Sequence, residues 1–260
     1  MDQLRKRRVT RCKVIQMRGT DYGQGADAYA AHRRIHTAVF EELCASGLLG
    51  SASTVLEIGC GTGNYALALA RCFGCIICGL EPSAAMLHHA HRQPSRVLWV
   101  LGHAGQLCFA DRAFDLIFSV DVIHHVPNKA AFFQQAARAL RLGGRLCTVT
   151  DSADFIRRRE VLSGYFPETV EVDLGRYPRL AQLEAWMSTV GLADIQVVTV
   201  EQPYEITSAQ PFRDRAYSCL QLISEEAWQA GLDRLEHDLA SGPIRGAQRY
   251  VCIWGRKAGK

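Results

Sequence analysis

Residues 55–64 read Val-Leu-Glu-Ile-Gly-Cys-Gly-Thr-Gly-Asn. An apolar run carrying Glu57 is followed by glycine at every second position, Gly59, Gly61 and Gly63, with Cys60 between the first two. Glycines so spaced let the backbone turn tightly and approach a ligand with no Cβ in the way. A helix starting just beyond them offers free N–H groups to that ligand. A dinucleotide-binding Gly-x-Gly-x-x-Gly turn needs its third glycine where Asn64 stands, so the spacing argues against that use. A second acid, Glu81, closes the apolar run 75–80. A carboxylate at such a strand end can accept both hydroxyls of a ribose; read alone, it is equally a solvated charge favoured by the next helix's dipole. A third feature is His124-His125, directly after the apolar run 114–121. Imidazole titrates near neutrality and suits a general base for an oxygen acid. A carboxylate or thiolate acceptor would need no base, and one of the two rings could simply pack the loop.

Other clusters carry less. Cys72, Cys75 and Cys78 repeat every third residue. That spacing puts Cys75 and Cys78 on opposite faces of one strand, and no second ligand pair follows at zinc spacing. No metal site is expected, and the thiols read as small buried hydrophobes. His88, His89 and His91 read as a solvated helix face. A thiol-rich site for a metalloid would need Cys44, Cys60 and Cys219 to converge.

The elements that must position these groups alternate. Residues 26–46 have apolar residues at helical spacing, ended by Gly47 and Gly50. Strands are expected at 53–58, 75–80, 97–101, 114–121 and 145–150. Helices are expected at 65–73, 84–92 (capped by Ser83) and 129–140. Such alternation argues for a parallel sheet with helices on both faces. Beyond it the pattern loosens. A helix at 179–190, a strand at 194–200, a helix at 224–239 and a last strand at 249–254 stand out. Residues 151–177 show no clean period. Loops beyond the carboxyl ends of such strands form the site, so 152–177 and 202–246 are candidate lids.

The glycine turn, the Glu81 strand end, residues 101–109 and the run Phe-Asp-Leu-Ile-Phe-Ser with its His-His loop together resemble the class I S-adenosylmethionine (SAM)-dependent methyltransferases. The likeness is to the small-molecule group that includes the ubiquinone-biosynthesis type. It covers residues 26–151 well and the C-terminal strands loosely. It implies an α/β fold: a doubly wound, mostly parallel seven-stranded Rossmann-like sheet with a lid from C-terminal insertions. The division expected is a basic tail at 1–25 and one domain at 26–260, with its core at 51–151. The resemblance also implies SAM as cofactor and direct displacement of its methyl group by a small-molecule acceptor. Glu57 and the turn Gly59, Cys60, Gly61 and Gly63 would cradle its methionine and ribose. Glu81 with Pro82 would take the ribose hydroxyls, and Met86 would pack near the adenine. Where the family commonly has an acid beside the adenine amino group, this chain has His103, leaving the backbone of Ala104 to serve. Ser119 and Val120 would line the sulfonium side, and His124 and His125 would lie near the transferred methyl. On the N-terminal helix, Tyr29 and Arg33 would close over the methionine end.

Composition fits this reading. Nearly half of the 260 residues are hydrophobic, enough for a sizeable core. The longest apolar runs are interrupted by charge, so no membrane span is expected. The N-terminus lacks a secretory signal, and ten cysteines in mostly apolar segments point to reduced thiols and a cytoplasmic setting. Arg5, Lys6, Arg7, Arg8, Arg11 and Lys13 against Asp2 put +5 of the net +4 into the leader, leaving −1 for the rest. That tail reads as a solvated leader; its alternative is a grip on nucleic acid, hence an RNA methyltransferase or a SAM-fold RNA-binding module. An NAD-linked oxidoreductase is a further alternative, which the glycine spacing disfavours. The aromatic residues Tyr165, Phe166, Tyr204, Phe212, Tyr217 and Trp228, and Arg157, Arg158, Arg159, Arg213 and Arg215, lie in the candidate lids. Arginines there could hold an acidic acceptor or form solvated faces.

Overall fold

The structure is a computed structural model that describes residues 22–259. The charged residues of the leader, Arg5 to Lys13, lie outside the described residues. Seven strands form one sheet in the order β3-β2-β1-β4-β5-β7-β6. They are β1 (Thr54–Ile58), β2 (Ile76–Glu81), β3 (Leu98–Leu101), β4 (Phe114–Val120), β5 (Leu140–Thr150), β6 (Leu192–Ile206) and β7 (Ile244–Lys257). The first five run parallel, and β7 inserts antiparallel between β5 and β6. The strand order reverses between β1 and β4. In a doubly wound sheet a crevice opens at that point, outside the strand carboxyl ends.

The central strands are apolar on both faces because helices cover both. Leu56, Ile58, Ile117 and Leu146 face one side, where they meet α5 (Lys129–Ala139) and α9 (Leu180–Thr189) through Phe132, Phe133, Leu183 and Met187. Val55, Leu116, Phe118 and Cys147 face the other, against α2 (Thr37–Cys44) and α3 (Asn64–Phe73). Helix α4 (Ala84–His91) follows β2, and its first turn is capped by the Ser83 hydroxyl, which accepts from Met86 N–H.

The single helix expected over 26–46 is two: α1 (Tyr22–His32) and α2. The break is fixed by side chains that outweigh the helical period. His36 caps α2, its ring accepting from Val39 N–H at 3.3 Å, while its own N–H donates to Tyr65 Oη at 3.0 Å. Asn64 donates to the Arg33 carbonyl at 3.2 Å. The chain therefore turns, and α1 lies against α4.

Strands β6 and β7 are longer than the apolar runs at 194–200 and 249–254. They stay paired to Ile206↔Ile244. The added length is polar and half exposed, held by cross-strand pairs such as Arg249–Glu201 at 2.8 Å and Arg245–Glu205 at 3.1 Å. A search for apolar runs passes over such pairs.

Residues 152–177 form α6 (Ala153–Arg157), α7 (Leu162–Tyr165) and α8 (Glu168–Arg176), the first two too short to display a period. Between β6 and β7 stand α10 (Gln210–Arg213), a short turn at Ser218–Gln221, and α11 (Glu225–Ser241), capped by Ser224. These two segments share a small core of their own, in which Val161, Phe166, Phe212, Leu220, Leu232 and Leu235 are buried. The Phe166 and Phe212 rings stack with centroids 5.8 Å apart. Together the segments make a cap over the carboxyl ends of the strands. Among the described residues, no helix is long and apolar enough to cross a membrane.

Candidate functional site

The glycine turn has the conformation its residues allow. Gly59, Gly61 and Gly63 all have positive φ, at 72°, 53° and 83°. A Cβ on Gly59 would sit 2.4 Å from Val122, and one on Gly63 would sit 2.3 Å from Trp99. Two buried carboxylates brace the turn. Glu57 accepts from Ala66 N–H at 2.9 Å and so holds the first turn of α3. Glu81 accepts from Gly61 N–H and from Ser83 N–H, each at 3.0 Å, tying the turn to the end of β2. Burial raises both carboxyl pKa values, that of Glu57 strongly.

The turn forms one wall of a cavity of about 500 Å³. Gly59, Gly61, Glu81, Pro82, Met86 and Val120 line this end. Tyr29 and Arg33 close it from the α1 side, and a Cβ on Gly61 would lie 3.4 Å from the Tyr29 ring. Glu57 and Cys60 line a smaller adjoining cavity of about 180 Å³, which also touches Tyr29 and Arg33. Four residues expected at the cofactor line neither cavity. Gly63 faces Trp99. Ser119 is wholly buried, its hydroxyl without a hydrogen-bond partner among the described residues. His103 bridges to Gln106 in a tight turn, and Ala104 packs on the core.

Asp121, at φ 57°, lines both cavities. Its Oδ2 accepts from Arg33 at 2.7 Å and from Tyr250 Oη at 2.6 Å. Gln248 in turn donates to Tyr250 Oη at 2.7 Å. The Arg33 guanidinium, expected to close over the methionine end, is thus already paired.

The far end is built by the His-His turn and the cap. His124 stacks on Tyr177 (centroids 4.0 Å, 16° between planes) and lies 3.9 Å from His125. Both line the cavity. Burial, then the charge of His125, pushes the His124 pKa well below its ordinary value. Burial, then Arg176, pushes that of His125 down to about 4. Both rings are therefore neutral near pH 7. Beside them lies a buried charge network. Arg159 donates to Asp151 at the end of β5 and, at 2.6 Å, to Asp173 on α8; Asp173 also accepts from Arg176. Two guanidiniums meet two carboxylates, so the network can be electrically balanced with little water present. Phe155, Leu162, Tyr204 and Tyr217 complete the wall.

Sequence reasoning named Arg159, Tyr204 and Tyr217 among many lid residues. It missed Asp151, Asp173, Arg176, Tyr177 and Tyr250. Only Asp151 carried a usable signal, as the residue directly beyond a central strand. Arg213 and Arg215 instead pair with Glu236 and Glu225, and Arg157 and Arg158 are exposed. Of the thiols, Cys60 and Cys219 touch different cavities, whereas Cys44 lines neither. His88 and His91 are exposed, and His89 pairs with Asp27 of α1 at 2.9 Å. No group of three His, Cys, Asp or Glu among the described residues is arranged to hold a metal.

Such a cavity can hold two reactants end to end, a polar one in the glycine cradle and another under the cap, with water largely excluded. Comparisons with known proteins bear on what those reactants are. Residues 56–148 match the family described as "Methyltransferase domain". The chain is 28% identical to 27-O-demethylrifamycin SV methyltransferase of Amycolatopsis mediterranei, over 91% of this chain and 89% of that protein. It is 29% identical to 2-methyl-6-phytyl-1,4-hydroquinone methyltransferase of Synechocystis, over 59% of this chain and 50% of that one. Among solved structures, phosphoethanolamine N-methyltransferase 2 of Haemonchus contortus in complex with S-adenosyl-L-methionine shares the fold. Its TM-score is 0.61 at 21% identity, over 93% of this chain and 59% of that one.

Proposed function

Because the chain belongs to the class I SAM-dependent methyltransferases, we propose that it methylates a small-molecule acceptor enclosed between the strand ends and the cap. One observation carries the reading. A single cavity has the glycine turn and Glu81 at one end, and aromatic rings, neutral imidazoles and paired arginines at the other. The relatives' names agree with a small acceptor, since they specify a rifamycin and a hydroquinone.

The residues at the first end fit SAM. The turn brings backbone to the cavity at Gly59 and Gly61, neither of which has a side chain of its own to stand in the way. Glu81 is held by two N–H donors, and each carboxylate oxygen keeps a lone pair for a ribose hydroxyl. Pro82 and Met86 would flank the adenine. Tyr29 and Arg33 would close the methionine end, with Asp121 and Tyr250 orienting the Arg33 guanidinium. Glu57 acts one step back, by fixing the turn through Ala66. SAM supplies an electrophilic methyl group on a sulfonium. The protein aligns the acceptor atom with that methyl, excludes water and provides the groups that touch the acceptor. His124 and His125 are assigned to that last task as neutral hydrogen-bonding rings.

Calorimetric titration with SAM and with the demethylated product, S-adenosylhomocysteine (SAH), tests the donor end. Micromolar binding of both is expected. Glu81→Ala removes a charged hydrogen-bond acceptor and weakens both by roughly 10- to 100-fold. Absence of binding by the unaltered protein would overturn the reading.

A further inference from the structure

Asp121, Asp151 and Asp173 all line the cavity, and their oxygens are not equivalent. Both oxygens of Asp173 are clamped, one by Arg159 and one by Arg176. Asp121 gives one oxygen to Arg33 and Tyr250, and its other is sealed inside the protein. Asp151 differs. Its Oδ2 accepts from Arg159, while its Oδ1 has no hydrogen bond among the described residues and is not sealed. The residue lines the cavity from the end of β5, one strand over from the His-His turn. We propose that Asp151 is the general base of the reaction, with Oδ1 taking the proton from an acidic hydroxyl, a phenol or an enol, of the acceptor. This deepens the small-molecule methyltransferase reading and rests on it.

The neighbours support the assignment. Arg159, Asp173 and Tyr177 face Asp151 from the cap, Asp121 from the β4 turn, and Tyr250 from β7. Burial outweighs the Arg159 guanidinium and raises the Asp151 pKa to about 6. A general base works best with a pKa near the operating pH. The histidines are poorer bases here, since burial and the guanidiniums make an imidazolium costly beside them. A phenol, ordinarily near pKa 10, lies about four units above Asp151, and Arg159 and Arg176 favour its anion.

The step balances. The acceptor O–H bond breaks and its proton passes to Asp151 Oδ1. The oxygen's electron pair forms the new O–CH₃ bond, and the methyl carbon–sulfur bond breaks with its pair left on sulfur. One positive charge on the donor and one negative charge on Asp151 disappear together, so the chamber stays neutral. An amine acceptor would instead take the positive charge onto its own nitrogen and leave Asp151 ionised. A carboxylate acceptor would need no base.

Two measurements on the full chain test this. The first is an infrared difference titration of the SAH-loaded protein, unaltered against Asp151→Asn. It should show a carboxyl titrating near pH 6; a midpoint below about 4 would overturn the assignment. The second is transfer of labelled methyl from SAM to 4-nitrophenol, 1-naphthol, 4-hydroxycoumarin, phosphoethanolamine, histamine and benzoate. Methyl should appear on the phenols or the enol. Asp151→Asn should lower kcat by about 100-fold or more, erase the rise in rate through pH 6 and leave SAH affinity within about twofold. Should that variant not fold, Asp151→Glu retains a displaced carboxylate and should give an intermediate rate with a shifted pH limb. Methylation of amines or benzoate alone, of none of the six, or an undiminished rate in Asp151→Asn would each overturn the proposal while SAH binding stood. Loss of SAH binding by the unaltered protein would instead remove the methyl-donor reading, and this one with it.

Discussion

The two ends of the cavity are built by opposite means. The donor cradle comes from one β-α-β stretch, in which the backbone N–H groups of Ala66, Gly61 and Ser83 hold Glu57 and Glu81 about the glycine turn, and Tyr29 and Arg33 are added from the α1 side. The acceptor end is gathered from afar. Asp151 comes from β5, Arg159, Asp173 and Tyr177 from the first part of the cap, Tyr217 from its second, and Tyr250 from β7. One end is rigid through local geometry. The other depends on the cap keeping its place, and its polar groups hold one another. A donor common to many enzymes suits the first construction, and an acceptor particular to one enzyme suits the second.

The comparison is broken hardest at Asp173. Removing that carboxylate in Asp173→Ala leaves Arg159 and Arg176 buried with too little countercharge. A cost of about 3–5 kcal/mol is expected, seen as a lower urea midpoint and faster proteolysis within residues 152–177. SAH affinity should change little; if it falls as steeply as stability, the two ends are not separable. Gly63→Ala strikes the donor end. The added Cβ meets Trp99 in a backbone conformation with φ 83°, at a cost of about 1–3 kcal/mol. Here the expected order reverses, with SAH affinity reduced and cap proteolysis unaltered.

This division also explains what could be read in advance. The glycine turn and Glu81 were legible because their geometry follows from residue type and short spacing. The parallel strands were legible because burial on both faces leaves unbroken apolar runs. The split between α1 and α2 was hidden, because it follows from His36 finding Tyr65 and Asn64 finding Arg33 across the fold. The Asp151–Arg159–Asp173–Arg176 network was hidden for the same reason. Each member alone reads as a solvated charge, and only the assembled cap removes the solvent.

The smallest effect is a pH dependence of stability. The folded-state pKa of His125, about 4, lies below its ordinary value of 6.5. The unfolded chain therefore takes up a proton that the folded chain refuses. The stabilising contribution is present above about pH 6.5 and is lost as pH falls toward 4. Asp151, with a raised pKa, acts in the opposite sense from about pH 6 downward, so a variant is needed to isolate His125. Relative to His125→Asn, the unaltered protein should lose about 1 kcal/mol of unfolding free energy per pH unit between pH 6.5 and 5. Parallel curves would mean that the ring is protonated within the folded state.

The pairing of β6 and β7 continues to Ile206↔Ile244, so the segment between them leaves and re-enters the domain at neighbouring points. Neither its length nor its internal order is felt by the sheet below, which sees only a closed hairpin. Such a junction tolerates exchange. Descent with a fixed donor cradle and a replaceable roof is then open to the chain, and so is grafting. A foreign segment spliced between those two isoleucines would inherit the donor cradle, and must bring an apolar face for Val161 and Phe166 as well as the shape of a new acceptor.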